Sequence, residues 1–256
     1  MGFFEELDEL KKKVLFWFYC WFLTAVFLFS FGLQKISFFG KEILLPAPSS
    51  VSFSVLFFDK MKEFLLPQDV RLVALGPMDA FLAQFTIASF LAVFFSFPVI
   101  FYSVLSFLSP AFRKKEKKIL GKIFFPSFFL FVAGCVFGYF FVLPATFKIL
   151  YSFAQPMGLE PLYNVNDFLF QALGMIFFLG IMFLLPVAMV LTVALGVIEP
   201  RFWRDKWTYA IVFFLVASAI VTPDGTGVTM LILALPLTLL YFLGYTIGKL
   251  VKKVAT

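Results

Sequence analysis

Acidic residues sit among basic ones at two places where a carboxylate can meet a guanidinium. Glu5, Glu6, Asp8 and Glu9 precede Lys11-Lys12-Lys13, and Glu116 stands among Arg113, Lys114, Lys115, Lys117 and Lys118. On a helix Glu5 and Glu9 share a face, being four residues apart. Two readings stay open for Glu116: it neutralises a basic loop, or the fold brings it to Glu9 so that two carboxylates face one guanidinium-bearing ligand. The second would discriminate Arg from Lys, because only guanidinium offers a planar fork of donors. Other chemistry is thinly represented. The 256 residues hold no histidine, which excludes imidazole triads, histidine metal sites and imidazole pH switching. Cys20 and Cys135 lie inside apolar runs without neighbours at metal-ligand spacing and read as packing residues. No phosphate loop or dinucleotide fingerprint is present, and Gly134-Cys135-Val136-Phe137-Gly138 reads as a close helix-packing face. The expectation is therefore no catalytic residue, no cofactor and no metal. An intramembrane hydrolase or lipid-modifying enzyme would need a nucleophile and base that these residues do not specify. A small-solute transporter is the third reading: polar groups in the spans are sparse, and Gln84, Thr86, Gln171 and Thr192 could line an interior polar surface, weighed against simple packing or local hydrogen bonding.

The elements that position these residues are membrane spans. At 62% hydrophobic and 14% charged, the chain falls outside the soluble class. Its charges cluster between apolar runs long enough to cross about 30 Å of hydrocarbon. Val14–Gln34 is the first such run. It exceeds a signal-peptide core and has no small-residue cleavage site after it, so it reads as a transmembrane helix. Ala80–Phe112 follows as one long helix bent at Pro98, then Ile123–Phe147 with an exit at Pro144, and Phe168–Ile198 bent at Pro186. Trp207–Pro223 and Gly225–Gly248 are the last two, short and joined by the tight turn Thr222-Pro223-Asp224-Gly225. The expected fold class is all-α: a polytopic membrane protein of six helices in a single domain over 1–256. Residues 35–79 form an outer loop or cap, punctuated at Pro46-Ala47-Pro48-Ser49-Ser50 and carrying a short amphipathic helix over Asp59–Leu66.

Six spans put both termini on one side. That side carries fifteen of the 21 basic residues and the other carries six, so the termini are expected in the cytoplasm of a cell-membrane protein. The net charge of +6 thus marks orientation in lipid and not a nucleic-acid partner.

Ordered landmarks resemble the TatC family, the multispanning receptor component of the twin-arginine protein translocase. Leu7-Asp8-Glu9-Leu10-Lys11-Lys12-Lys13 is similar to the family's cytoplasmic Leu-x-Glu-Leu-Arg-x-Arg stretch. Gly76-Pro77-Met78-Asp79-Ala80-Phe81 resembles its Pro-x-Glu-x-Phe, with Asp79 in place of glutamate. Phe97-Pro98-Val99-Ile100-Phe101-Tyr102, followed by Phe107, Pro110 and Glu116-Lys117-Lys118, resembles the second span and its Glu-Arg-Arg loop. Gly138-Tyr139-Phe140-Phe141-Val142-Leu143-Pro144 and Thr222-Pro223-Asp224 resemble the third-span ending and the turn between two short final helices.

The resemblance implies a concave bundle of kinked helices that binds a twin-arginine signal peptide at the cytoplasmic face, by recognition and not bond cleavage. Carried over by matching residue, Glu9 and Glu116 take the two arginines, with Phe107 and Lys118 supporting the patch. Pro98, Pro186, Asp79, Asp224 and Gln171 are structural or coupling positions. Implied partners are TatA-like or TatB-like single-span proteins, signal peptides of folded precursors, membrane lipids and further copies within the translocase, with transport driven by the proton motive force. Leu184 and Phe242 replace residues that are often acidic or amide-bearing in relatives. Lys11, Lys13, Lys117 and Lys118 replace common arginines, keeping charge but losing fork geometry.

Overall fold

Long charge-free runs satisfy their backbone groups internally, and in this chain they do so as helices. The computed structural model describes residues 3–38, 41–49, 51–67, 70–108, 114–158, 162–222 and 227–255. Among these, five helices are long and apolar enough to cross a membrane: Lys11–Ser30, Asp79–Ser103, Ile123–Ser152, Val165–Ala194 and Val228–Val251. The shorter apolar helix Trp207–Val221 has 15 residues, about 22 Å at 1.5 Å per residue against about 30 Å of hydrocarbon. The chain is a multi-pass helical membrane protein. It divides into two compact units, Met1–Phe107 with Glu160–Phe170, and Leu108–Leu159 with Gln171–Thr256.

In the first unit, helix α1 (Phe3–Ser30) ends before the predicted Gln34. The chain turns there into an antiparallel hairpin of β1 (Phe31–Phe38) and β2 (Lys41–Pro48), in register from Phe31↔Pro48 to Phe38↔Lys41. The path requires glycine at position 32, since a Cβ there would collide with the Val51 carbonyl oxygen. The prolines expected to punctuate the loop lie inside β2. A two-stranded ribbon tolerates them because half its N–H groups have no ladder partner. Helix α2 (Phe53–Leu65) begins earlier than the expected Asp59, after β3 (Arg71–Val73) comes α3 (Asp79–Leu108), and β3 pairs in parallel with β4 (Leu162–Asn164). Ala25 and Leu28 of α1 pack with Ala88 and Ala92 of α3. The small side chains let two backbones approach, and Trp21 Nε1 donates across the pair to the Ser89 carbonyl at 3.2 Å. Gln84 fastens three elements: its Nε2 donates to the Phe29 carbonyl at 3.1 Å and to Ser52 Oγ at 3.0 Å, and Ser52 Oγ lies 2.8 Å from Ser54 Oγ.

In the second unit, α4 (Lys114–Phe137) runs without interruption through a π-helical turn, Gly138–Val142, into α5 (Leu143–Ser152). The exit predicted at Pro144 is therefore corrected. Proline lacks a donor and its ring crowds the carbonyl four residues back. The wider turn just before Pro144 absorbs that conflict, so the helix continues for eight more residues. At Pro186 the outcome differs. Helix α6 (Val165–Met182), which enters this unit at Gln171, stops, Phe183 and Leu184 form a turn, and α7 (Leu185–Ala194) restarts with the proline in its first turn. The remaining elements are α8 (Pro200–Asp205), α9 (Trp207–Val221) and α10 (Val228–Ala255), and the turn expected at 222–225 lies largely outside the described residues.

Two close crossings organise this unit. A Cβ at Gly134 of α4 would meet the Leu179 carbonyl oxygen at 2.6 Å, Phe183 Cγ at 2.8 Å and Gly180 Cα at 2.9 Å. A Cβ at Gly244 of α10 would meet Pro186 Cα and Met189 Sδ, each at 2.9 Å. Both are places where only glycine lets the helices come together.

Candidate functional site

The residues expected to bind arginines lie on helical backbone at the charged ends of the spans. Glu9 is in α1, two residues before the lysine run, and Phe107 is in the last turn of α3. Glu116 and Lys118 stand in the first turns of α4. Glu9 and Phe107 belong to the first compact unit, Glu116 and Lys118 to the second, and the side chains of all four lie outside the described residues.

The other predicted positions have definite settings. Asp79 begins α3, and its Oδ2 accepts the backbone N–H of Leu75 at 2.8 Å and of Gly76 at 2.9 Å, while its own N–H donates to the Gly76 carbonyl at 3.2 Å. One carboxylate oxygen thus closes the loop before the span, where negative charge also suits a helix N-terminus. Pro98 sits within α3 without ending it. Pro186 is buried, at the break between α6 and α7. Gln171 is half-buried on α6, and Asp224 lies outside the described residues. Leu184 occupies the turn between α6 and α7, its N–H donating to the Ile181 carbonyl at 3.0 Å. Of the interior polar groups, Gln84 holds the junction above and Thr192 Oγ1 donates to the Met189 carbonyl at 2.8 Å.

Sequence reasoning passed over a second cluster. In the second unit, a groove of about 350 Å³ is lined by Trp203, Arg204, Trp207, Tyr241, Phe242 and Tyr245. Tyr241 donates its hydroxyl proton to the Trp203 carbonyl and stacks edge-on against the indole, with ring centroids 6.2 Å apart. Trp207 and Phe242 are 6.4 Å apart, and Lys206 Nζ lies 4.9 Å from the centroid of the Tyr209 ring. The run Arg201-Phe202-Trp203-Arg204-Asp205-Lys206-Trp207 carried the signal, since Trp, Tyr and basic residues gather where a span meets water.

This architecture recurs in solved membrane proteins. The crystal structure of the twin-arginine translocase receptor TatC superposes with a TM-score of 0.76 at 26% identity, covering 96% of this chain and 99% of that one. A second crystal structure of that receptor, in DDM, gives the same TM-score at 25% identity. The fold and its arrangement of spans thus define the class, a polytopic helical component of a protein translocase and not an enzyme. The profile described as Sec-independent protein translocase protein (TatC) matches residues 5–236. A TatC protein of Cenarchaeum symbiosum is 34% identical over 95% of this chain and 93% of its own length, and the chloroplastic TATC of Arabidopsis thaliana is 28% identical over 98% and 67%. The chain belongs to the TatC family.

Proposed function

We propose that this protein is the receptor subunit of a twin-arginine translocase, binding the signal peptide of a folded precursor at the cytoplasmic face and nucleating the transport complex. The observation that carries the reading is family membership over residues 5–236, together with the full-length likeness to a translocase receptor. In this proposal Glu9 and Glu116 receive the two arginines, and Phe107 and Lys118 complete the patch. Charge-assisted pairing gives the arginine preference. Apolar burial of the signal's hydrophobic segment, about 0.8 kcal/mol per CH₂, adds affinity without sequence choice. Both termini face the cytoplasm, Trp207–Val221 is a short sixth crossing, and the termini and basic loops follow the positive-inside rule. Single-span TatA-like or TatB-like proteins and further copies of the chain assemble with it, and the proton motive force drives transport.

The test is photocrosslinking of the reconstituted protein to a signal peptide bearing Arg-Arg and to its Lys-Lys counterpart, with Glu9→Gln and Glu116→Gln variants. Crosslinks near both carboxylates should require the arginines, and either substitution should weaken them. Equal crosslinking of the two peptides, indifferent to both substitutions, would sink the assignment.

A further inference from the structure

The groove between α8 and α10 combines features of a lipid headgroup site. Its walls are aromatic, supplied by Trp203, Trp207, Tyr241, Phe242 and Tyr245, so they accept the upper part of an acyl chain or a glycerol backbone. One lining residue is cationic and other cations lie near it in sequence. Arg204 lines the groove, Arg201 lies one helical turn earlier on α8, Lys206 follows, and Lys249 stands one turn beyond Tyr245 on α10. Positions three or four apart share a helix face. Two carboxylates, Glu199 and Asp205, belong to the same stretch, and Asp205 Oδ1 holds Arg204 Nε at 3.0 Å. That contact leaves the terminal guanidinium nitrogens of Arg204 for another acceptor, and four cations face two carboxylates.

We propose that this groove binds one anionic phospholipid, its phosphate on Arg204 and Lys206 and its first methylenes lying along Trp207 and Phe242. Lipid is the occupant because basic residues, aromatic rings and the ends of two apolar helices coincide here, as they do at a membrane surface. A soluble phosphate ester would have no use for the apolar half of the groove. The proposal rests on the multi-pass membrane character alone and is independent of signal-peptide binding.

Native mass spectrometry of the full-length protein in detergent, offered equal amounts of phosphatidylglycerol and phosphatidylcholine, tests it. One phosphatidylglycerol should be retained in preference to phosphatidylcholine by about tenfold, and the Arg204→Gln/Lys206→Gln double variant should lose most of that preference. Lys60→Gln/Lys62→Gln, which removes two exposed charges on α2, should leave it unchanged, and glycerol phosphate should displace no lipid. Equal retention of the two lipids overturns the proposal, as does an equal loss in the α2 variant, which would signify diffuse attraction. Displacement by glycerol phosphate would replace the lipid with a soluble phosphate ester and overturn it as well.

Discussion

Replacing Gly134 by alanine tests whether the α4–α6 crossing depends on the missing side chain. The added Cβ would sit 2.6 Å from the Leu179 carbonyl oxygen and 2.9 Å from Gly180 Cα, both backbone atoms that cannot rotate away. Ordinary contact needs roughly 3.4 Å or more, so the helices must separate by several tenths of an ångström along their line of closest approach. Overpacking of this kind costs about 1–3 kcal/mol. Gly174, on α6, is the control, because a Cβ there meets nothing within 4 Å. The same substitution at Gly174 removes only the conformational freedom of a helical glycine and should stabilise by up to about 1 kcal/mol. Thermal unfolding in detergent should therefore move in opposite directions, with Gly134→Ala lowering the midpoint by about 2–10 °C and Gly174→Ala leaving it level or higher. Gly180→Ala extends the test. Its Cβ would meet Cys135 Sγ at 2.6 Å and Phe131 Cε2 at 2.8 Å, both side-chain atoms, so Cys135→Ala should recover part of the loss in a double-mutant cycle. Equal midpoints for the wild type and Gly134→Ala would refute the reasoning, because the crossing would then have room that the geometry denies.

Two further outcomes follow from hydrogen bonds in the first unit. Asp79→Ala should raise hydrogen exchange at the Leu75 and Gly76 amides by about tenfold, the loss of a charge-assisted acceptor being worth about 1–2 kcal/mol, and Asp79→Asn should fall between. Gln84→Leu preserves bulk but leaves the Phe29 carbonyl and the fully buried Ser52 hydroxyl without their donor. Trypsin should then cut α2 at Lys60 and Lys62 severalfold faster while cleavage at Arg201 and Arg204 stays constant, since local opening follows local stability.

The spans were legible because hydrocarbon thickness translates into countable charge-free residues, and five of the runs are long apolar helices. Their ends were less so. Phe31-Gly32-Leu33-Gln34 is as compatible with an apolar strand as with a helix, and the close packing of Gly32 against the Val51 carbonyl joins residues nineteen apart, which local pattern does not register. Pro144 carries a breaking signal that a π turn cancels, and periodicity at 3.6 residues cannot register a turn of different pitch. Gln84 was recognisable as a polar group in need of partners, but its acceptors at Phe29 and Ser52 belong to other elements. The Gly244-x-x-x-Gly248 spacing was open to inspection as a close-packing motif, and it lies against Pro186 and Val193. The arginine-binding assignment depends on ordered family landmarks, because carboxylates on α1 and α4 have no sequence spacing that relates them.

The break at Pro186 shows how such a chain can place irregular backbone inside hydrocarbon. Proline has no N–H to give the carbonyl four residues earlier, so the Met182 oxygen loses its helical donor. Phe183 N–H still reaches Leu179 at 2.9 Å, Leu184 N–H reaches Ile181 at 3.0 Å, and Ala188 N–H returns to the Leu184 carbonyl at 3.0 Å. Most of the ladder is thus restored within one turn. An unsatisfied carbonyl facing lipid would cost several kcal/mol, and such breaks are tolerated where protein covers them. Gly244 brings α10 to within 2.9 Å, measured from its absent Cβ to Pro186 Cα, and Pro186 itself is buried. The glycine on α10 and the proline on α7 are therefore one device: the proline interrupts the helix, and the glycine allows a neighbouring helix close enough to shield the interruption. Leu184 in the same turn adds no polar group, so any partner docking against this turn would meet apolar packing instead of a hydrogen bond from that side chain.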